Sequence, residues 1–596
     1  MNLKEFYTGN CFDAYEFLGC HLTDDGAVFR TYAPKAASVS VIGEFNNWCE
    51  QPMARTEDGR FFEMFSSEAK AGQMYRFVIH TEDGRSVDHS DPYGFGMERR
   101  PNSASIIRDM NSFSFEDEKW MKSRTTRLAE ALNIYEMHAG SWKANPDDEE
   151  EGWYTYRELA GILVPYLLEH GYNYVEFMPL SEHPCDNSWG YQNTGFFSPT
   201  SRYGTADDLK FLINELHKNG IGVILDFVPV HFAVDGYGLI NYDGTALYEY
   251  PHPDIGYNEW GSCNFNHSKG EVQSFLMSNA NYWLTEYHFD GLRIDALANM
   301  IYWQGEEARG ENENAIEFIK KLNCGLKARH PSAILAAEDS THYPKVTRPV
   351  FDGGLGFDYK WDMGWMNDTL NFMQKTPEER KKAYHKLTFS MMYYYDENFI
   401  LPLSHDEVVH GKATIVQKMC GLYEGKFPQA RALYMYMYAH PGKKLNFMGN
   451  EIAQLREWDE TREQDWDMLK YPLHDSFSVF MKDLSHVYLD NPAFSALDYI
   501  TMGFDWVDCH SEDKCLYSFV RSGGDQHILC LFNFSEKTQE YKLKLDYNEK
   551  LTLLLASDNE IYSGTVHYDG GETVLKKDGV FDLEMTPYSA KFFITD

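Results

Sequence analysis

Residues 289–296 read FDGLRIDA, an apolar run that carries an Arg and an Asp two positions apart. In an extended chain Arg293 and Asp295 project to one side and Leu292, Ile294 and Ala296 to the other. A guanidinium beside a carboxylate favours its ionised form, which suits a salt-bridged rim or an anionic nucleophile equally well. Three other apolar runs end in the same style. DFVPVHF brings Asp226 and His231, AAEDS brings Glu338, and LPLSHDEV brings His405 and Asp406. A further loop, HPCDNSWGYQNTG, adds Asp186, Trp189 and Tyr191. Carboxylates with histidines suit glycosidic chemistry, in which one acid attacks the anomeric carbon while another protonates the leaving oxygen. The parts for other chemistries are missing. There is no Cys/His cluster with metal-ligand spacing, no GxGxxG opening a helix, no GxxxxGK[ST] and no GxSxG.

These residues need a scaffold that gathers strand ends. The middle of the chain holds eight short apolar runs: 133–138, 172–179, 221–229, 289–295, 332–338, 356–362, 398–405 and 443–449. Helical patterns such as TYRELAGILVPYLLEH and TADDLKFLINELHKNG fall between most of them. Eight β-then-α units in a row predict an α/β fold, a (β/α)8 TIM barrel; a doubly wound sheet is the competing reading. In such a barrel polar residues at the C-terminal ends of strands form the active site. The flanks differ in style. Short alternating runs in 1–115 (GAVFRTYAP, SVSVIGEFNNW) and 496–596 (HILCLFNFS, QEYKLKL, KLTLLLAS, AKFFITD) predict an all-β sandwich on either side of a barrel over 116–495.

Composition narrows the partners. The 596 residues include 54 Lys and Arg against 91 Asp and Glu, a net charge of −37. That field repels phosphate backbones and anionic lipid, so neither nucleic acid nor a membrane is expected as a partner. No apolar segment behind a basic start marks a signal peptide, and no run of about 18 apolar residues could span a bilayer. The ten Cys are scattered without a CxxC, as in a reducing, cytoplasmic setting. Aromatics make up 15% of the chain, enough both to fill cores and to offer flat faces to sugar rings.

DFVPVH, GLRIDAL, AAED and LSHDEV, in that order, resemble the four short conserved regions of the α-amylase superfamily (glycoside hydrolase family 13). EMHAGSWK, SWGYQNTGFFSPTSRYGT, FDYKWDMGWMNDTL and GNEIAQ are similar to the glycogen (1,4-α-glucan) branching enzymes, and GEFNNW resembles the carbohydrate-binding sandwich that precedes their barrel. The resemblance covers essentially the whole chain. It implies a retaining transferase acting on an α-glucan polymer such as glycogen or amylose, with Asp295 as nucleophile, Glu338 as general acid and then base, and Asp406 as the third carboxylate. It further implies that His231 and His405 hydrogen-bond the sugar at the cleavage point, above Tyr191. Asp186 and Trp189 would line the same loop, Arg293 would support the nucleophile, and Asp226 would be the structural partner of that Arg. Glu451 is expected to be structural. No cofactor and no metal are expected, since 230–270 lacks the long calcium-binding insertion of secreted amylases, and a monomer is expected. The start close to the sandwich is similar to the short branching-enzyme type. Asp339 departs from the resemblance, which has a longer acid there. Two other readings share these motifs: a related hydrolase of debranching or trehalose-releasing type, and a catalytically inactive glucan-binding protein.

Overall fold

The computed structural model describes residues 1–545 and 548–595. Asp596, the last residue of the AKFFITD run, lies outside them. Eight strands form a closed barrel in chain order: β1 (Asn133–Met137), β2 (Tyr174–Phe177), β3 (Gly222–Phe227), β4 (Gly291–Ile294), β5 (Ile334–Ala337), β6 (Tyr359–Trp361), β7 (Phe399–Leu403) and β8 (Lys443–Phe447). The registers are parallel between β3 and β4, β4 and β5, β6 and β7, β7 and β8, and β1 and β8. Every residue of the eight strands is buried, as a parallel sheet covered on both faces requires.

All eight strands fall on the apolar runs of the sequence, and each is shorter than its run. The trimmed residues are informative. β4 stops at Ile294, β5 at Ala337 and β7 at Leu403, so Asp295, Glu338 and His405 lie just past the ladder, where backbone can turn. Helices Tyr156–Glu169, Ala206–Lys218, Gly270–Glu286 and Glu313–Arg329 follow β1 to β4. Two have side-chain starts: Thr205 and Asp208 form a capping box, and Asn312 accepts from the Ala315 N–H.

The chain packs as two compact units, residues 1–125, 138–164 and 176–357 in one and 126–137, 165–175 and 358 onward in the other. In the first, two largely antiparallel sheets precede the barrel strands, built around Gly26–Tyr32 and Met74–Thr81. Phe29 from one meets Tyr75 from the other edge-on, ring centroids 5.0 Å apart. The N-terminal segment is not strand. Leu3–Tyr7 is helical, and Ser274, Ser278 and Asn281 of the Gly270–Glu286 helix donate to the carbonyls of Phe6, Cys11 and Phe12. That contact explains why this helix is buried continuously from Val272 to Leu284 and not along one stripe. In the second unit a six-stranded sheet and the Gln539–Leu543/Phe581–Met585 pair share a core of Leu529, Leu531, Tyr541, Leu553, Phe581 and Phe593. Among the described residues no helix is long and apolar enough to cross a membrane.

Candidate active site

Asp226 in β3 and Arg293 in β4 are register partners, so their side chains project together. The Arg293 Nη1 donates to both oxygens of Asp226, at 2.7 and 2.8 Å, and to Oδ1 of Asp295 at 2.7 Å. Its Nη2 lies 3.8 Å from Oε2 of Glu338. One guanidinium therefore serves three carboxyl groups from the ends of three consecutive strands. Burial opposes the charge of Arg293, but Asp226, Tyr191, Asp295 and Glu338 outweigh it and raise its pKa well above the usual arginine value. Exposure separates the roles. Arg293 and Asp226 side chains are 1% and 2% exposed, whereas Asp295 and Glu338 reach solvent at 14% and 16%.

Backbone turns hold the two exposed acids. Ala296 sits at φ 47°, ψ 46°, a left-handed conformation that costs a non-glycine residue roughly 1–2 kcal/mol. The turn aims the Ala296 N–H at Oε2 of Glu338, 2.7 Å away. The Leu297 N–H donates to the Glu338 carbonyl at 2.9 Å, and the Glu338 N–H donates to Ile294 at 3.1 Å. Asp295 and Glu338 thus share one stapled turn. Asp339 is buried and accepts from the Thr341 N–H and hydroxyl, a loop-shaping bond that its short side chain can reach.

The 183–194 loop delivers Tyr191. Trp189, half-buried, and Gly190 are both left-handed, and a Cβ on Gly190 would sit 2.4 Å from the Pro179 carbonyl, so only glycine lets the loop lie this close to the end of β2. The Tyr191 hydroxyl then donates to Asp226 Oδ2 at 2.5 Å. Asp186 is held by two arginines. Both its oxygens accept from Arg100, and Oδ1 also from Arg202. Burial would raise its carboxyl, but these two arginines overcome that and hold it at about 2.

His231 is buried, and its Nε2 lies 3.1 Å from the Tyr191 carbonyl oxygen, which can only accept. Nε2 therefore carries the proton and Nδ1 is a bare acceptor; Nδ1 has no partner among the described residues. Burial pushes the imidazole down to about 4, with the Tyr191 bond a smaller opposing effect. The unfolded value is about 6.5, so the neutral form belongs to the fold. Its contribution to stability is complete above about 6.5 and falls as pH drops through the window to about 4, below which both states are protonated. A shift of this size is worth on the order of 3 kcal/mol across the window. Urea unfolding at pH 7 and pH 4 should show His231→Gln losing less stability than the wild type by about that amount; parallel losses would contradict the buried neutral histidine.

In the second unit His405 and Asp406 follow β7. The His405 N–H donates to Oε2 of Glu136 at 3.0 Å, and its Nδ1 lies 2.5 Å from Oε1. His405 Nε2 is 3.5 Å from Oδ1 of Asp406, whose side chain is 43% exposed. Sequence reasoning missed Glu136, although a lone acid inside the buried run NIYEMH was a visible signal. Glu451 is fully buried between the hydroxyls of Tyr135 and Tyr166, at 2.7 and 2.6 Å, and burial raises its carboxyl. Among the described residues no group of three or more His, Cys, Asp or Glu could hold a metal ion.

Three family models match the chain: Carbohydrate-binding module 48 (Isoamylase N-terminal domain) over residues 17–94, the alpha amylase catalytic domain over 146–237, and the alpha amylase C-terminal all-beta domain over 506–595. The 1,4-alpha-glucan branching enzyme GlgB of Bacillus caldolyticus is 43% identical over 577 residues, covering 95% of this chain and 86% of that one. The enzyme of the same name from Fusobacterium nucleatum subsp. nucleatum is 44% identical over 569 residues, covering 91% of each. Among solved structures, a pullulanase from Anoxybacillus sp. LM18-11 superposes with a TM-score of 0.76 at 15% identity, covering 100% of this chain and 89% of that one. A putative alpha amylase from Salmonella typhimurium gives 0.71 at 18% identity, covering 97% and 100%. At those identities the structural likeness is one of fold.

Proposed function

The chain belongs to the 1,4-alpha-glucan branching enzyme family, and on that premise we propose that it cleaves an α-1,4 bond in a linear glucan and transfers the freed chain to a C6 hydroxyl, making α-1,6 branches in glycogen. The observation that carries the residue roles is the Arg293 fork between Asp226 and Asp295, with Glu338 stapled to the turn that follows Asp295. Asp295 attacks the anomeric carbon while Glu338 gives its proton to the departing O4, leaving a glucosyl ester on Asp295. The C6 hydroxyl oxygen of an acceptor then bonds to the same carbon, the ester bond breaks, and the hydroxyl proton passes to Glu338. Two displacements at one carbon retain its configuration.

The remaining roles follow the family motifs. Asp406 holds ring hydroxyls, and His405, oriented by Glu136, hydrogen-bonds the sugar beside it. His231 accepts a hydroxyl at Nδ1, Tyr191 forms the floor under the ring, and Asp226 fixes Arg293. Asp186 and Trp189 shape the loop that carries Tyr191. We assign residues 1–115 to a carbohydrate-binding sandwich, 116–495 to the catalytic barrel and 496–596 to a second sandwich, in a monomeric cytoplasmic enzyme that binds neither nucleic acid nor membrane. Incubation with amylose tests the activity. Iodine colour should fall while reducing ends stay nearly constant until a debranching enzyme is added; a stoichiometric rise in reducing ends without that addition would mean hydrolysis.

A further inference from the structure

Trp260 and Tyr257 are 46% and 47% exposed, yet their loop is firmly held. Asn258 Oδ1 accepts from the backbone N–H groups of Trp260 and Ser262, at 3.1 and 3.0 Å. Asn264 Nδ2 donates to the Ile255 carbonyl at 3.1 Å, and Gln304 Nε2 donates to the carbonyls of Asp254 and Tyr257, each at 2.7 Å. A pinned loop that leaves an indole half in solvent keeps a flat apolar face available to a ligand. This one is also tied to the reacting groups. Gln192 Nε2 donates to the Trp260 carbonyl at 3.1 Å, and the Trp260 ring lies 5.4 Å from the His231 ring. Gln192 adjoins Tyr191, whose hydroxyl is on Asp226, which shares Arg293 with Asp295.

A large, rigid, exposed aromatic face beside a site that handles sugars fits the flat apolar face of a pyranose ring. We propose that Trp260, with Tyr257 on the same loop, is the platform on which the accepting glucan chain stacks. This rests on the transferase reading and says what makes the protein a transferase. The glucosyl ester on Asp295 has two possible partners, a C6 hydroxyl and water. Each bonds to the anomeric carbon as the ester bond breaks and each gives its proton to Glu338, so the catalytic groups alone do not choose between them. A bound acceptor wins by effective concentration and by displacing water.

The full chain with Trp260→Ala or Trp260→Phe tests this on amylose. The readout is the ratio of branches, counted as reducing ends released by a debranching enzyme, to reducing ends formed without it. Ala should lower that ratio about tenfold, the equivalent of losing one favourable aromatic contact, and Phe should restore most of it. Melting temperatures should match the wild type. An unchanged ratio in the Ala variant, including the case in which both products fall together because the platform serves the donor chain, overturns the proposal. A ratio that drops equally in the Phe variant also overturns it, because stacking is then not the cause. A wild type that forms no branches at all overturns the transferase reading itself, and the platform with it.

Discussion

Asp295→Ala should abolish branching activity, with a loss in kcat of at least about 10⁴-fold, the scale seen when a nucleophile is removed from a covalent mechanism. Asp295 combines a direct bond to Arg293 with solvent access. Its removal leaves Arg293 on Asp226 and leaves the Ala296–Glu338 bond in place, so the fold should survive. Glucan binding, followed by retardation in amylose-containing gels, should be largely retained. The variant therefore separates chemistry from binding: turnover within about tenfold of the wild type would refute the nucleophile assignment, and loss of binding would mean that Asp295 holds the site together.

Arg293→Met should damage both stability and activity. The side chain is 1% exposed and bridges Asp226, itself 2% exposed, to Asp295. Taking away one member of a buried ion pair typically costs 3–5 kcal/mol, because the partner is left buried without its counter-charge. Asp226 would keep the Tyr191 hydroxyl as a donor. The nucleophile would also lose the charge that favours its ionised form, so kcat should fall by roughly 10²–10³. Adding Asp226→Asn removes the stranded charge, and the double variant should regain much of the stability while staying inactive. Denaturant midpoints and amylose assays on the three proteins check this. A single variant as stable as the wild type would show that Asp226 is relieved in some other way. Arg293→Lys should rescue little, since a point charge cannot span two carboxylates as a planar fork does.

The candidate catalytic set is legible in the sequence because a parallel barrel is written in one dimension. Each strand is a short continuous apolar run, and a polar residue that ends such a run is already assigned to one rim. That is how Asp226, Arg293, Asp295, Glu338, His405 and Asp406 were read without a structure, and why the strands observed fall within the runs expected. The ends of the strands were harder to place. Whether Glu338 finishes a strand or begins a turn depends on the Ala296 amide that reaches back to it, a bond between residues 42 positions apart.

What the sequence by itself determined is the architecture, which follows from periodicity, and the family, which follows from motif order; the reacting groups it nominates are those the resemblance implies. The tertiary structure decided the partners. For Arg293 the sequence offers two partners, Asp295 two residues away and Asp226, and the fold weights them: both oxygens of Asp226 accept from it across the β3–β4 register. Asp186 was read as part of the sugar site, and its bonds go to Arg100 and Arg202. Glu136 and Trp260 went unread as site residues. The reason is common to all four. Burial and charge pairing depend on distance in space, and the residues that supply them come from strands and loops tens to hundreds of positions away, where no local spacing carries the signal.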